Sequence, residues 1–108
     1  MPTVEQQAEL PQPAREEIRI EQVLAALGDP VRLLFVRQLA KAPAVGVACG
    51  AIPLPVTKST RTHHLRILRE AGVVSMRAEG TRRIAVLRRD DLDALYPGLL
   101  DGILGAPH

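Results

Sequence analysis

Ser59, Thr62, His63 and Arg66 stand at spacings i, i+3, i+4 and i+7, which on an α-helix make one stripe. Hydroxyls, an imidazole and a guanidinium in a row can approach another surface closely. Their donors and acceptors suit the base edges of a DNA major groove, where arginine favours guanine and Ser or Thr is permissive. A solvated helix face has the same composition, so the stripe alone leaves both readings open. Arg77, Arg82 and Arg83 form a second cluster around Ala78-Glu79-Gly80-Thr81. Arginines on a two-stranded ribbon can lie along a phosphate backbone or enter a minor groove. They can equally protect an edge strand. Alternation sends Arg82 and Arg83 to opposite faces, so at most one of them shares the face of Arg77. Helix and ribbon together favour duplex DNA.

The charge distribution agrees. The whole chain of 108 residues has a formal charge of only +2. Residues 58–89 nevertheless hold nine Lys/Arg against two Asp/Glu, while residues 90–108 hold four acids and no Lys/Arg. Such a basic block between acidic flanks suits a polyanionic partner. Aromatic residues make up 2% of the chain, Phe35 and Tyr96 alone. That argues against single-strand readers, which stack bases on aromatic rings, and against a β-sandwich.

The elements that must carry these groups follow from punctuation and period. The chain is long enough for one small domain, read here as residues 14–108 behind a flexible N-terminal arm of residues 1–13. Ile18, Ile20, Val23, Leu24 and Leu27 give an imperfect helical period from about Ala14, stopped at Gly28. Asp29-Pro30 restarts a helix, with Asp29 as cap and Pro30 at the first helical position. Val31, Leu34, Phe35, Gln38 and Leu39 form its expected inner stripe, closed by Pro43. Residues 44–56, broken by glycines and by Pro53 and Pro55, resist assignment. Lys58-Ser59-Thr60 offers capping hydroxyls to a helix over about 59–71, ended by Gly72. A hairpin over about 73–87 follows. Asp90 or Asp91 then caps a short turn, and Pro97 starts a last helix through about Leu104. The expected fold class is mainly α with a small β-hairpin wing, a winged helix-turn-helix.

The run Leu27-Gly28-Asp29-Pro30-Val31-Arg32-Leu33-Leu34 resembles the opening signature of the ArsR/SmtB family of winged-helix repressors. Lys58 to Val74 resembles that family's recognition helix, and Arg77-Ala78-Glu79-Gly80-Thr81-Arg82 its wing. The likeness covers roughly residues 20–104. It implies a homodimer, paired through its first and last helices, that binds double-stranded operator DNA and leaves it on an inducing signal. On this reading Lys58, Ser59, Thr60, Arg61, Thr62, His63 and Arg66 meet DNA from the helix, and Arg77, Thr81, Arg82 and Arg83 from the wing. Ile18, Ile20, Val23, Leu99, Leu100, Ile103 and Leu104 would line the dimer interface. Two features depart from the family pattern. Arg61 stands where an apolar residue is usual, so it must snorkel to a phosphate or pair with an acid such as Asp29 or Glu70. The helix before the recognition helix is broken by proline.

Metal sensing finds little support. Cys49 is the only cysteine, and one thiolate is a poor soft-metal site. Asp91, Asp93, Asp101 and His108 lack paired ligand spacing, and His63 and His64 point about 100° apart. No metal or cofactor is therefore expected, and the inducer is left unnamed. Cys49 reads as a small core residue, with a thiol- or metal-responsive switch as its alternative. No nucleophile–base set or phosphate loop appears, so an enzyme is not expected. The non-DNA alternative is a winged-helix module that presents its basic face to an acidic protein. The charge-free run 42–57 is too broken to span a membrane. Without a visible secretory signal or a disulfide partner for Cys49, a cytoplasmic location is expected.

Overall fold

A computed structural model describes residues 10–105. Of the expected arm, residues 1–9 lie outside that range, as does His108. Asp29 caps the first long helix as its spacing predicts, accepting from the amides of Val31 at 2.9 Å and Arg32 at 3.0 Å. The helix before it, α1, is Ile20–Leu27, and the capped helix, α2, is Pro30–Ala40. After α2 come strand β1, Val47–Ala48, and a 3-10 turn at Cys49–Ala51. Helix α3, Lys58–Ala71, leads into strands β2, Val74–Glu79, and β3, Arg82–Leu87; helices α4, Arg89–Leu95, and α5, Leu99–Leu104, complete the chain.

The sheet has three antiparallel strands in the order β1-β3-β2. Within the hairpin Val74 pairs with Leu87 and Glu79 with Arg82, leaving Gly80-Thr81 as a two-residue turn. Phe35, Val36 and Leu39 of α2, Leu68 of α3, and Val74, Met76 and Ala85 of the sheet are buried in one core. Leu92 and Leu100 extend that core under the last two helices. The fold is a winged helix-turn-helix, mainly helical with a small sheet.

Several expectations are corrected. Instead of a continuous helix from Ala14, a 3-10 turn at Arg15–Glu17 is followed by extended Ile18. Ile18 packs beside Gly72, whose φ of +84° closes α3. A β-carbon at Gly72 would strike the Ile18 side chain. The inner face of α2 is Phe35, Val36 and Leu39, whereas Gln38 is exposed. In the stretch that resisted assignment, β1 pairs Val47 with Ala85 and Ala48 with Ile84. Two residues are too few to show a strand period.

Thr57, rather than a residue of Lys58-Ser59-Thr60, caps α3 through the Thr60 amide. Asp90 and Asp91 do not cap α4; Asp91 instead pairs with Arg15 at 2.7 Å and Arg88 at 2.9 Å. Helix α5 starts after Gly98 rather than at Pro97. Residues 10–13, read as the end of the arm, meet the domain: Gln12 accepts from the Met76 amide at 2.9 Å, and the Pro13 carbonyl accepts from Arg88. Of the residues expected at a dimer interface, Ile18, Val23 and Leu100 are buried within the chain itself. Ile20 is exposed and Leu99, Ile103 and Leu104 are half-buried, while exposed Leu24 was not anticipated.

Candidate nucleic-acid interface

Helix α3 is amphipathic, and its two sides do different work. Leu68 and Ala71 are buried, and Leu65 and Ile67 are partly buried against the core. Lys58, Ser59, Thr60, Thr62, His63 and Arg66 are exposed. Thr57 donates to the Thr60 hydroxyl at 3.0 Å and Thr62 donates to the Lys58 carbonyl at 3.1 Å, so part of the polar row orders the first turn of the helix. The side chains of His63 and Arg66 make no hydrogen bond or ion pair among the described residues. Like the Lys58 ammonium, they are left free to find partners elsewhere.

Arg61 is not on that exposed face. Its guanidinium turns back and donates to the Cys49 carbonyl at 2.8 Å and to the Ile52 carbonyl. The carbonyls of a short turn replace the acids and phosphates that the sequence suggested for it. Arg61 thus ties the loop before α3 to the helix, with its guanidinium engaged by the loop carbonyls. His64 faces inward too: its Nδ1 lies 3.1 Å from Arg32 Nη1 and 3.9 Å from Asp29 Oδ2. Arg32 also donates to the Ala26 carbonyl at 2.7 Å, so α1, α2 and α3 meet at one polar joint.

The register of the wing decides which arginines act together. Arg77 pairs with Ile84 and Ala78 with Arg83, so alternation puts Arg77 and Arg82 on one face. Glu79 lies near both, 3.4 Å from Arg77 and 3.7 Å from Arg82. Arg77 also donates to the Val45 carbonyl at 3.2 Å. Arg83 belongs to the opposite face with Met76 and Ala85, turned toward α3. Thr81 and Arg82 are exposed at the turn. Cys49 is free and buried. Burial pushes its thiol above its usual pKa, opposed by the nearby charges of Arg61 and Arg83.

No group of three or more His, Cys, Asp or Glu side chains among the described residues could hold a metal ion. No helix among them is long and apolar enough to cross a membrane. Arg69, three residues after Arg66 and not singled out from the sequence, has its Nε buried without a hydrogen-bond partner among the described residues.

A helix with a free polar face, carried by two supporting helices and flanked by a basic hairpin, defines a winged helix-turn-helix DNA-binding domain. No protein-family model matches the chain. It is 30% identical over 82 residues to the uncharacterised helix-turn-helix-type transcriptional regulator YceK of Bacillus subtilis, spanning 74% of this chain and 81% of that protein. Rv2034 of Mycobacterium tuberculosis, a helix-turn-helix-type transcriptional regulator, is 38% identical over 84 residues, spanning 71% of this chain and 78% of that one. The crystal structure of an ArsR family transcriptional regulator matches with a TM-score of 0.63 at 19% identity, over 77% of this chain and 90% of that chain. The chain belongs to the helix-turn-helix transcriptional regulators and has the ArsR-type winged-helix fold. It is a DNA-binding transcriptional regulator, of a family that is not enzymatic.

Proposed function

We propose that the chain is a homodimeric repressor that binds an inverted-repeat operator and leaves it when an inducer binds. The observation that carries the DNA contacts is the exposed row Ser59, Thr62, His63 and Arg66 on α3. His63 and Arg66 read base edges, while Ser59 and Thr62 sit close to them in the major groove. Lys58, Thr60, Arg77, Thr81 and Arg82 face the backbone or minor groove, while Arg83, also expected to meet DNA, stands on the side of the wing turned toward α3. Two such helices in a dimer would lie about 34–36 Å apart, one DNA turn. Exposed Ile20 and Leu24, with half-buried Leu99, Ile103 and Leu104, supply the apolar surface for pairing. A free thiol suits a reducing compartment, and we assign the regulator to the cytoplasm.

The test is fluorescence-anisotropy binding to the DNA just upstream of its own gene, at two salt concentrations, against a scrambled competitor. Tight binding that survives the competitor, at two chains per site, is expected. Weak and fully competed binding would overturn the reading and favour an acidic protein partner for the basic face.

A further inference from the structure

Between the outer half of α3 and the wing lies a cleft of about 350 Å³, lined by Cys49, Thr62, Leu65, Arg66, Arg69, Met76 and Arg83. Three guanidiniums thus come from two separate elements, and no carboxylate lines the cleft. Among the described residues none of the three arginines takes part in an ion pair or a side-chain hydrogen bond. Arg66 and Arg69 are neighbours at i, i+3, where like charges oppose one another. Arg83 stands on the helix-facing side of the wing, across from Ala78. The Nε of Arg69 is buried and has no hydrogen-bond partner. A buried donor without a partner calls for an ion or water.

We propose that this cleft is an oxyanion site of the phosphate class. Guanidinium forks match phosphate oxygens geometrically, and three of them can surround a tetrahedral anion. Two sources share that chemistry. One is a backbone phosphate of bound DNA, held in the gap between recognition helix and wing. The other is a free phosphate or phosphorylated small molecule, which would occupy the same cations and oppose DNA binding. The proposal rests on the DNA-binding reading for the first source only.

The experiment records arginine Nε–Hε NMR signals of the full chain while inorganic phosphate replaces chloride at constant ionic strength. A saturable shift of the Arg69 signal in the wild type, with the phosphate affinity read on the Arg66 and Arg83 signals at least about tenfold weaker in Arg69→Met as expected for loss of a charge-assisted contact, supports a free anion. If phosphate leaves the signal unmoved, the salt dependence of DNA affinity decides. A slope smaller by about 0.9 in Arg69→Met than in the wild type supports a backbone phosphate. An unmoved signal together with an unchanged slope overturns the proposal. Failure to bind any DNA sinks the regulator reading, yet the phosphate titration still reports on the cleft. Methionine keeps the apolar stem of Arg69, and its removed charge has no acid to orphan, so Arg69→Met should melt no lower than the wild type in chloride. If it does not fold, Arg83→Met, on the exposed wing, carries the same two readouts.

Discussion

The Arg61 guanidinium, rooted on the recognition helix, donates to the main-chain carbonyl of Cys49 at 2.8 Å. A second donation, to the Ile52 carbonyl, fastens the same loop. The loop has only a 3-10 turn of its own, because Gly46, Gly50, Pro53 and Pro55 prevent a longer helix. Its carbonyls therefore need donors from elsewhere. A charged residue at an inward position, anomalous for the family pattern, is explained by that need.

Arg61→Leu should accordingly destabilise the fold by about 1–3 kcal/mol, the cost of leaving partly buried carbonyls unpaired. Urea denaturation measures it. The salt slope of DNA binding should stay unchanged, because Arg61 faces the loop rather than the phosphates. A slope reduced by about one would return Arg61 to the DNA contacts.

Gly46 has φ +100°, and a β-carbon there would lie 2.7 Å from the Ala85 carbonyl oxygen. Gly46→Ala should cost about 2 kcal/mol or more, since both backbone strain and a main-chain clash oppose it. Hydrogen exchange should quicken at Val47 and Ala48, where β1 leaves β3. Unchanged protection there would refute the account.

Acid should weaken the fold through Asp29 and Asp91. Hydrogen bonds from the Arg32 and Val31 amides hold the Asp29 carboxyl below its usual pKa, and that from Arg32 matters most. For Asp91 the hydrogen bond from Arg15 is the largest cause, with Arg88 adding to it. Both folded-state values are depressed, so the stability they contribute is complete above the usual aspartate pKa of about 3.9 and is lost as pH falls through the folded values. Stability measured from pH 6 downward should decline below about pH 4. Asp91→Asn should decline less steeply there. A parallel decline would remove Asp91 from the explanation.

Base reading and backbone attachment should separate by mutation. His63→Ala is expected to narrow the gap between operator and random DNA by about 1–3 kcal/mol. Arg82→Ala should weaken every duplex alike and lower the salt slope by about one. Equal losses on both duplexes for both variants would defeat this division of roles.

Leu24 is half exposed on α1, in line with Ile20. Leu24→Glu should split the proposed dimer, lowering the sedimentation mass by half. Because Leu24 lies outside the buried core, the monomer should keep its helical signal. A dimer unaffected by the change would move the interface away from α1.

The sequence by itself determined the order of the first three helices and the hairpin, the capped start of α2 and the polar row on α3. Those features are local: Asp29 reaches amides two and three residues on, Gly72 closes the helix directly before it, and a stripe follows from helical period. The face of the wing was half legible, because alternation separated Arg82 from Arg83 without saying which joined Arg77. Only the tertiary structure decided that Arg82 does and that Arg83 meets Arg66 and Arg69 across a cleft. It also turned Arg61 inward, buried Ile18, Val23 and Leu100 in the chain's own core, and recruited Val47–Ala48 as a third strand. Each of these depends on a partner distant in sequence, and neither period nor composition carries information about where that partner arrives.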